Sequence, residues 1–219
     1  MHVVMFDIDG TLVDSEGFDA ELYAQAVEGV LGIAVDRDWD RYEHVSDSGI
    51  LEQVLRDSRF DSDRAALAAR VQQRFVALVR DYVECEPAAV REIAGAKRLV
   101  ERLLALPDVR VAIATGGWEP TARLKLQHVG IDVSGVGFSS SSDARARTDI
   151  MRLAGQRALR GAPFKRATYF GDGVWDRRAS AELGYEFVAV GRGVPHPVAY
   201  DDLSDVEAIV SHLRGLGLK

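Results

Sequence analysis

The sequence predicts an α/β protein: a doubly wound parallel sheet with an all-helical subdomain inserted near its start. Three observations lead there. Segments 3–6, 110–114, 135–138, 167–170 and 187–190 are short and β-rich, and three of them are almost continuously apolar. Such runs are what parallel strands covered on both faces require. Helical patterns at 96–106, 119–129, 148–159 and 177–183 alternate with the later strands, as crossover-connected parallel sheets demand. Finally, roughly 100 residues separate the first strand from the second, where a crossover needs only about a dozen or more.

In chain order, Val3-Val4-Met5-Phe6 forms the first strand, cut off by Asp7. The inserted text follows. Segments 20–31, 48–57 and 63–83 carry apolar residues at three- and four-residue spacing, with no strand pattern between them, so the insert is helical. Its expected limits are 16–93, leaving 1–15 and 94–219 as the core, with the chain crossing between the two at 15–17 and 92–95. The remaining strands and helices then alternate to the end of the sheet, with Ser139-Ser140-Ser141-Ser142 as a loop after the third strand.

Composition narrows the function classes. A chain of 219 residues, 47% hydrophobic and 28% charged, buries a real core as one domain or one with an insert. Acidic residues outnumber basic ones by 34 to 27, a net charge of −7, which argues against nucleic acid and anionic membranes as partners. No stretch approaches the ~18 apolar residues of a membrane span. The single cysteine, Cys85, excludes an intramolecular disulfide and a multi-cysteine zinc site and points to a cytoplasmic location.

The strand ends carry the chemistry. In an open parallel sheet the ligand crevice lies beyond the carboxyl ends of the strands. The first strand runs into Asp7-Ile8-Asp9-Gly10-Thr11, the second into Thr115-Gly116-Gly117, and the fourth into Gly171-Asp172-Gly173-Val174-Trp175-Asp176. Four carboxylates, Asp7, Asp9, Asp172 and Asp176, and one hydroxyl thus gather on one rim. Crowded carboxylates in a crevice must protonate or recruit a cation, and oxygen-only ligands favour Mg2+. A magnesium ion would keep Asp7 ionised for in-line attack at phosphorus. Asp9 is then positioned to protonate the leaving oxygen and later activate water. Thr115 and the Gly116 and Gly117 amides offer hydrogen bonds to phosphoryl oxygens. An Asp-Gly pair alone marks a turn; the agreement of separate strand ends outweighs that reading.

At these residues the sequence resembles the haloacid dehalogenase superfamily. Met-Phe-Asp-Ile-Asp-Gly-Thr-Leu-Val-Asp-Ser at 5–15 is similar to its first motif, the strand ending in Thr115 to its second, and Gly171-Asp172 with Asp176 to its fourth. The resemblance covers the whole chain. It implies a Rossmann-like core with a helical cap of the family's first type, in the phosphoglycolate phosphatase and β-phosphoglucomutase group. It further implies Asp7 as nucleophile, forming an aspartyl-phosphate, and Asp9 as general acid and base. Magnesium would be held by the Asp7 side chain, the Asp9 backbone carbonyl and Asp172, with Asp176 bound directly or through water. The family's third motif usually holds a lysine, and here none lies between Lys125 and Lys165, the latter too near the fourth strand. Arg147, at the start of its helix, is the preferred replacement, and Arg145 the alternative.

In the insert, Ser46-Asp47-Ser48 precedes an amphipathic segment and resembles the substrate-specificity loop of similar caps, while the same residue types suit a helix N-cap. Arg41 and His44 lie close enough in sequence to meet a polar leaving group. Trp118 and Trp175 are expected at the crevice mouth or in packing. The expected function is a magnesium-dependent phosphatase acting on a small phosphorylated molecule, a sugar phosphate or small organic phosphate. Two alternatives use the same fold: a phosphomutase or phosphotransferase, and a non-catalytic ligand sensor. Asp9 argues against carbon–halogen chemistry, because members of the superfamily acting on carbon generally lack that second aspartate.

Overall fold

The computed structural model describes residues 1–216 other than 16, 59, 61, 62, 163 and 165. Glu16, at the expected start of the insert, and Lys165 lie outside the described residues. Six parallel strands form the main sheet: β1 (His2–Phe6), β4 (Val109–Ala114), β5 (Gly137–Ser139), β6 (Arg166–Gly171), β7 (Glu186–Val190) and β8 (Ala199–Tyr200). Their order is β5-β4-β1-β6-β7-β8. The chain therefore grows outward from β1 in both directions, and the crevice opens where that direction reverses, beside β1.

β1 is buried along its whole length. Its side chains alternate between two apolar clusters, as the two-residue period of a strand dictates. Val4 and Phe6 join Leu99, Val100 and Leu103 of α4 (Ala96–Leu104), Ala122 and Leu126 of α5 (Glu119–His128), and Ile209 and Val210 of α8 (Val206–Gly215). Val3 and Met5 face Ile150, Met151 and Ala154 of α6 (Arg147–Ala158) and Ala179 of α7 (Val174–Leu183). Both sheet faces are covered, which is why the strands read as apolar runs.

The insert contributes α1 (Asp19–Leu31), α2 (Asp47–Asp57) and α3 (Arg64–Cys85). Short β2 (Val13–Asp14) and β3 (Arg91–Glu92) pair antiparallel where the chain leaves and re-enters the core. Gly10, at φ 69°, turns the chain just before β2, a conformation that costs glycine little. The insert shares the larger cluster: Trp118 packs against Tyr23 of α1 and Phe75 of α3, each ring centroid 5.8 Å away.

Differences from the sequence expectation are local. β8 and α8 extend the fold beyond the fifth expected strand; a two-residue strand has no periodicity to detect. β5 starts at Gly137 rather than 135, because Gly135 sits in a turn at φ 80°. α7 begins at Val174 rather than 177, its first turn closed by Asp176 Oδ2 accepting the Gly173 N–H at 3.1 Å.

Candidate active site

The carboxyl ends of three adjacent strands supply the rim. Asp7 follows β1, its N–H extending the ladder to the Phe170 carbonyl at 2.9 Å. Thr115 follows β4, Asp172 follows β6, and Asp176 lies in the first turn of α7. Asp7, Thr115 and Asp172 border a cavity of about 370 Å³ whose other walls come from the insert: Asp19, Tyr23, Trp39, Val45, Ser46, Asp47 and Ile50. Gly116, Gly117, Asp9, Arg147 and Trp175 line it as well.

Carboxylate oxygens of Asp7, Asp172 and Asp176 come within 4.8 Å of one another. Arg147, the first residue of α6, enters this group from the side. Its Nη1 donates to Asp7 Oδ2 at 3.3 Å, and its Nε lies 3.4 Å from Asp176 Oδ1. Its Nη2 crosses to the insert and donates to the Val45 carbonyl at 3.2 Å. Gly116 makes room: a Cβ there would lie 2.6 Å from Nη2. Burial pushes the Asp7 carboxyl up, against the downward pull of Arg147. Burial likewise raises Asp176 to about 7, with Arg147 again opposing. Buried carboxylates that resist ionisation although a guanidinium lies beside them create a demand for more positive charge. The donor set fits magnesium: its ligands are hard oxygens, and Asp176 Oδ1 is buried and accepts no hydrogen bond.

Asp9 is oriented differently from Asp7. Its Oδ1 accepts hydrogen bonds from the Ser15 hydroxyl and from Lys125 Nζ, the latter at 2.5 Å. Lys125 Nζ also donates to Asp19 Oδ1 at 2.8 Å. Burial raises Asp19 to about 6 although Lys125 pulls it down. The remaining oxygen of Asp9 faces the space over Gly117. A Cβ built on Gly117 would sit 3.6 Å from both Asp9 Oδ2 and Thr115 Oγ1, and 3.9 Å from Asp47 Oδ2. Sequence reasoning missed Lys125 and Asp19. The available signal is a lysine on the buried stripe of α5, between Ala122 and Leu126, where an amphipathic helix should carry an apolar residue.

The loop before α2 docks onto the core. Ser46 caps α2, accepting the Gly49 N–H at 3.2 Å, and its hydroxyl donates to the Arg145 carbonyl at 2.7 Å. Asp47 N–H donates to the Gly116 carbonyl at 2.8 Å, and Asp47 Oδ2 accepts the Trp118 N–H at 2.8 Å. The Ser48 hydroxyl donates to the Ser141 carbonyl at 2.8 Å. The cap and specificity-loop readings of Ser46-Asp47-Ser48 are thus spatially compatible. The Gly117 amide, expected to face a phosphoryl oxygen, donates to Thr115 Oγ1 at 3.1 Å.

Most of the other candidates sit away from the cavity. Arg145 is exposed and pairs with Glu52 at 3.3 Å, so the structure brings Arg147 to Asp7 and leaves Arg145 on the surface. Arg41 pairs with Asp36 at 2.6 Å. Neither Arg41 nor His44 is among the cavity-lining residues, whereas Trp175 is; Trp118 instead borders a smaller cavity between α2 and α3.

The profile of haloacid dehalogenase-like hydrolases matches residues 1–184. The chain belongs to this family. Its fold agrees with solved members and neighbours at low identity. A hydrolase from Pseudomonas syringae superposes with a TM-score of 0.72 at 20% identity, covering 100% of both chains. CbbY from Rhodobacter sphaeroides in complex with phosphate gives 0.70 at 20% identity, over 93% of this chain and 95% of its own. A β-phosphoglucomutase from Clostridium difficile gives 0.71 at 14%, over 98% and 97%. At such identities the likeness concerns the fold. No curated protein sequence matches the chain. Among the described residues, no helix is long and apolar enough to cross a membrane. This family member is a hydrolase with an acidic triad, Asp7 and Asp176 buried and Asp172 partly so, suited to a metal ion.

Proposed function

We propose that the chain is a magnesium-dependent phosphatase of small phosphomonoesters. The observation carrying this reading is the convergence of Asp7, Asp172 and Asp176 around Arg147, with Asp9 Oδ2 and Thr115 Oγ1 sharing the space over Gly117. Asp7, Asp172 and Asp176, with the Asp9 carbonyl, are the groups that would hold magnesium, which supplies charge neutralisation for phosphate and nucleophile alike. An Asp7 carboxylate oxygen forms a bond to phosphorus as the ester P–O bond breaks. The electron pair leaves with the alcohol oxygen, which takes a proton from Asp9. Water then attacks the aspartyl-phosphate, Asp9 accepts its proton, and the Asp7 carboxylate departs from inorganic phosphate. Thr115, Arg147 and the Gly116 amide stabilise the phosphoryl oxygens in both steps.

In this reading residues 16–93 are a cap over the core of 1–15 and 94–219. The bonds from Arg147 to Val45 and from Asp47 to Gly116 support a lid that closes directly on the phosphate site. The cavity also bears on the substrate. Among the described residues lining it, Arg147 is the one cation, and Asp19 and Asp47 face the leaving-group side. A leaving group with its own phosphate or carboxylate finds no partner there, so an uncharged alcohol such as a sugar suits it better. CbbY from Rhodobacter sphaeroides has been crystallised with phosphate and with xylulose-1,5-bisphosphate; for the present chain we favour a monophosphate.

The test is hydrolysis of p-nitrophenyl phosphate with and without magnesium, by wild type and Asp7→Asn. Magnesium-dependent turnover that disappears in the variant is expected. Its absence in the wild type favours a ligand sensor. The fold likeness to a β-phosphoglucomutase keeps a mutase as second reading. Heavy oxygen from labelled water entering free phosphate supports hydrolysis, and an isomerised product without it supports the mutase.

A further inference from the structure

We propose that Lys125 is the positioning residue for Asp9, aiming this acid at the leaving group from the place where the core meets the first helix of the insert. The inference rests on the phosphatase reading and goes beyond it, because nothing in that chemistry calls for a lysine on α5.

Lys125 is fully buried. An ammonium group is costly to desolvate and persists in such a place only when paired, and here two carboxylates, Asp9 and Asp19, receive its hydrogen bonds. The Asp9 end of this arrangement is directional. Lys125 and the Ser15 hydroxyl both donate to Oδ1. Two donors on one oxygen fix the plane of a carboxyl group whose terminal torsion is otherwise broad. Oδ2 is thereby left facing the space over Gly117, shared with Thr115 Oγ1 and Asp47 Oδ2.

Proton transfer to a leaving oxygen demands this kind of placement, because small errors of aim at the reacting atoms are expensive in rate. The three anchors come from different places. Lys125 belongs to a core helix, Ser15 to the segment leading into the insert, and Asp19 to the first turn of α1. The acid is therefore set by contacts that exist together only when the start of α1 lies against α5. Arg147 plays no part in this; its partners are Asp7, Asp176 and Val45.

The experiment compares kcat and KM for two esters. p-Nitrophenyl phosphate has a good leaving group and needs little protonation, whereas propyl phosphate needs it fully. For Lys125→Met we expect propyl phosphate turnover to fall about 100-fold and p-nitrophenyl phosphate turnover by no more than about tenfold, with each KM within about threefold. The single variant leaves Asp9 and Asp19 facing each other without a cation. Lys125→Met/Asp19→Leu removes the pair together, and its thermal unfolding is measured first. A selective loss for propyl phosphate in the folded protein supports positioning. Equal losses for both esters, or none, overturn it while leaving the phosphatase reading intact. If wild type hydrolyses neither ester, the phosphatase reading fails and this inference with it.

Discussion

Two buried cations serve the carboxylates on either side of the chemistry, Arg147 lining the cavity and Lys125 lying behind Asp9 and Asp19, and they have different partners. Arg147 sits between Asp7 and Asp176, both core carboxylates at the nucleophile end. Lys125 sits between Asp9 of the core and Asp19 of the insert, at the acid end. The nucleophile is thus framed by elements rooted in the sheet, while the acid depends on the junction with α1. The nucleophile end meets the insert through the bond from Arg147 to the Val45 carbonyl, whereas at the acid end one of the paired carboxylates, Asp19, belongs to the insert itself.

The comparison breaks most readily at Asp7. Asp7→Asn should lower turnover of every ester by about a thousandfold or more, because it removes the attacking atom; measurable turnover near the wild-type rate would remove the distinction between the ends. Arg147→Met comes next, with kcat/KM down about 100-fold for p-nitrophenyl and propyl phosphate alike. That even loss contrasts with the ester-selective loss expected of Lys125→Met.

Asp47→Ala removes the acceptor of the Trp118 N–H. The expected result is a KM raised about tenfold with kcat within about threefold, read from steady-state kinetics. On the substrate side, phosphoglycolate should compete against p-nitrophenyl phosphate about tenfold more weakly than propyl phosphate, because its carboxylate meets Asp19 and, among the described lining residues, finds no cation beyond Arg147. Tighter inhibition by phosphoglycolate would mean that a cation, Lys125 included, reaches the substrate at the acid end.

The smallest effect is on stability without metal. The carboxyl of Asp176 is raised to about 7 and that of Asp19 to about 6, both from an ordinary value of 3.8. Between 3.8 and its raised value, each keeps a proton in the folded chain that the unfolded chain releases. Metal-free stability contributed by these groups therefore falls as pH rises through those windows. Between pH 6 and 7 Asp176 adds its own share to the slope, so Asp176→Asn should make it shallower by on the order of 1 kcal/mol. Urea midpoints across pH 5–8 in a chelating buffer give the measurement.

Legibility in the sequence follows the same division. The sheet was readable because buried parallel strands are apolar throughout, and the rim because Asp7, Asp9, Thr115 and Asp172 lie just past such strands, with Asp176 in the first turn of the helix that follows. Arg147 was readable as a candidate from its place at a helix start. Choosing it over Arg145 needed three dimensions, since both lie within one short loop-to-helix passage. Lys125 was not readable: it lies mid-helix, and its partners are 116 and 106 residues away. Only its place on the apolar stripe of α5 marks it as unusual. β8 was likewise invisible, being two residues defined by their neighbour β7.

The most direct test of the account is to trap the phosphorylated enzyme. Magnesium-loaded protein is mixed with a rapidly hydrolysed ester, quenched, reduced with borohydride and digested for mass spectrometry. The account requires the modification on the peptide containing Asp7 and its loss in Asp7→Asn. Rapid magnesium-dependent turnover with Asp7 unmodified at every quench time, or with the label on another residue, would contradict it.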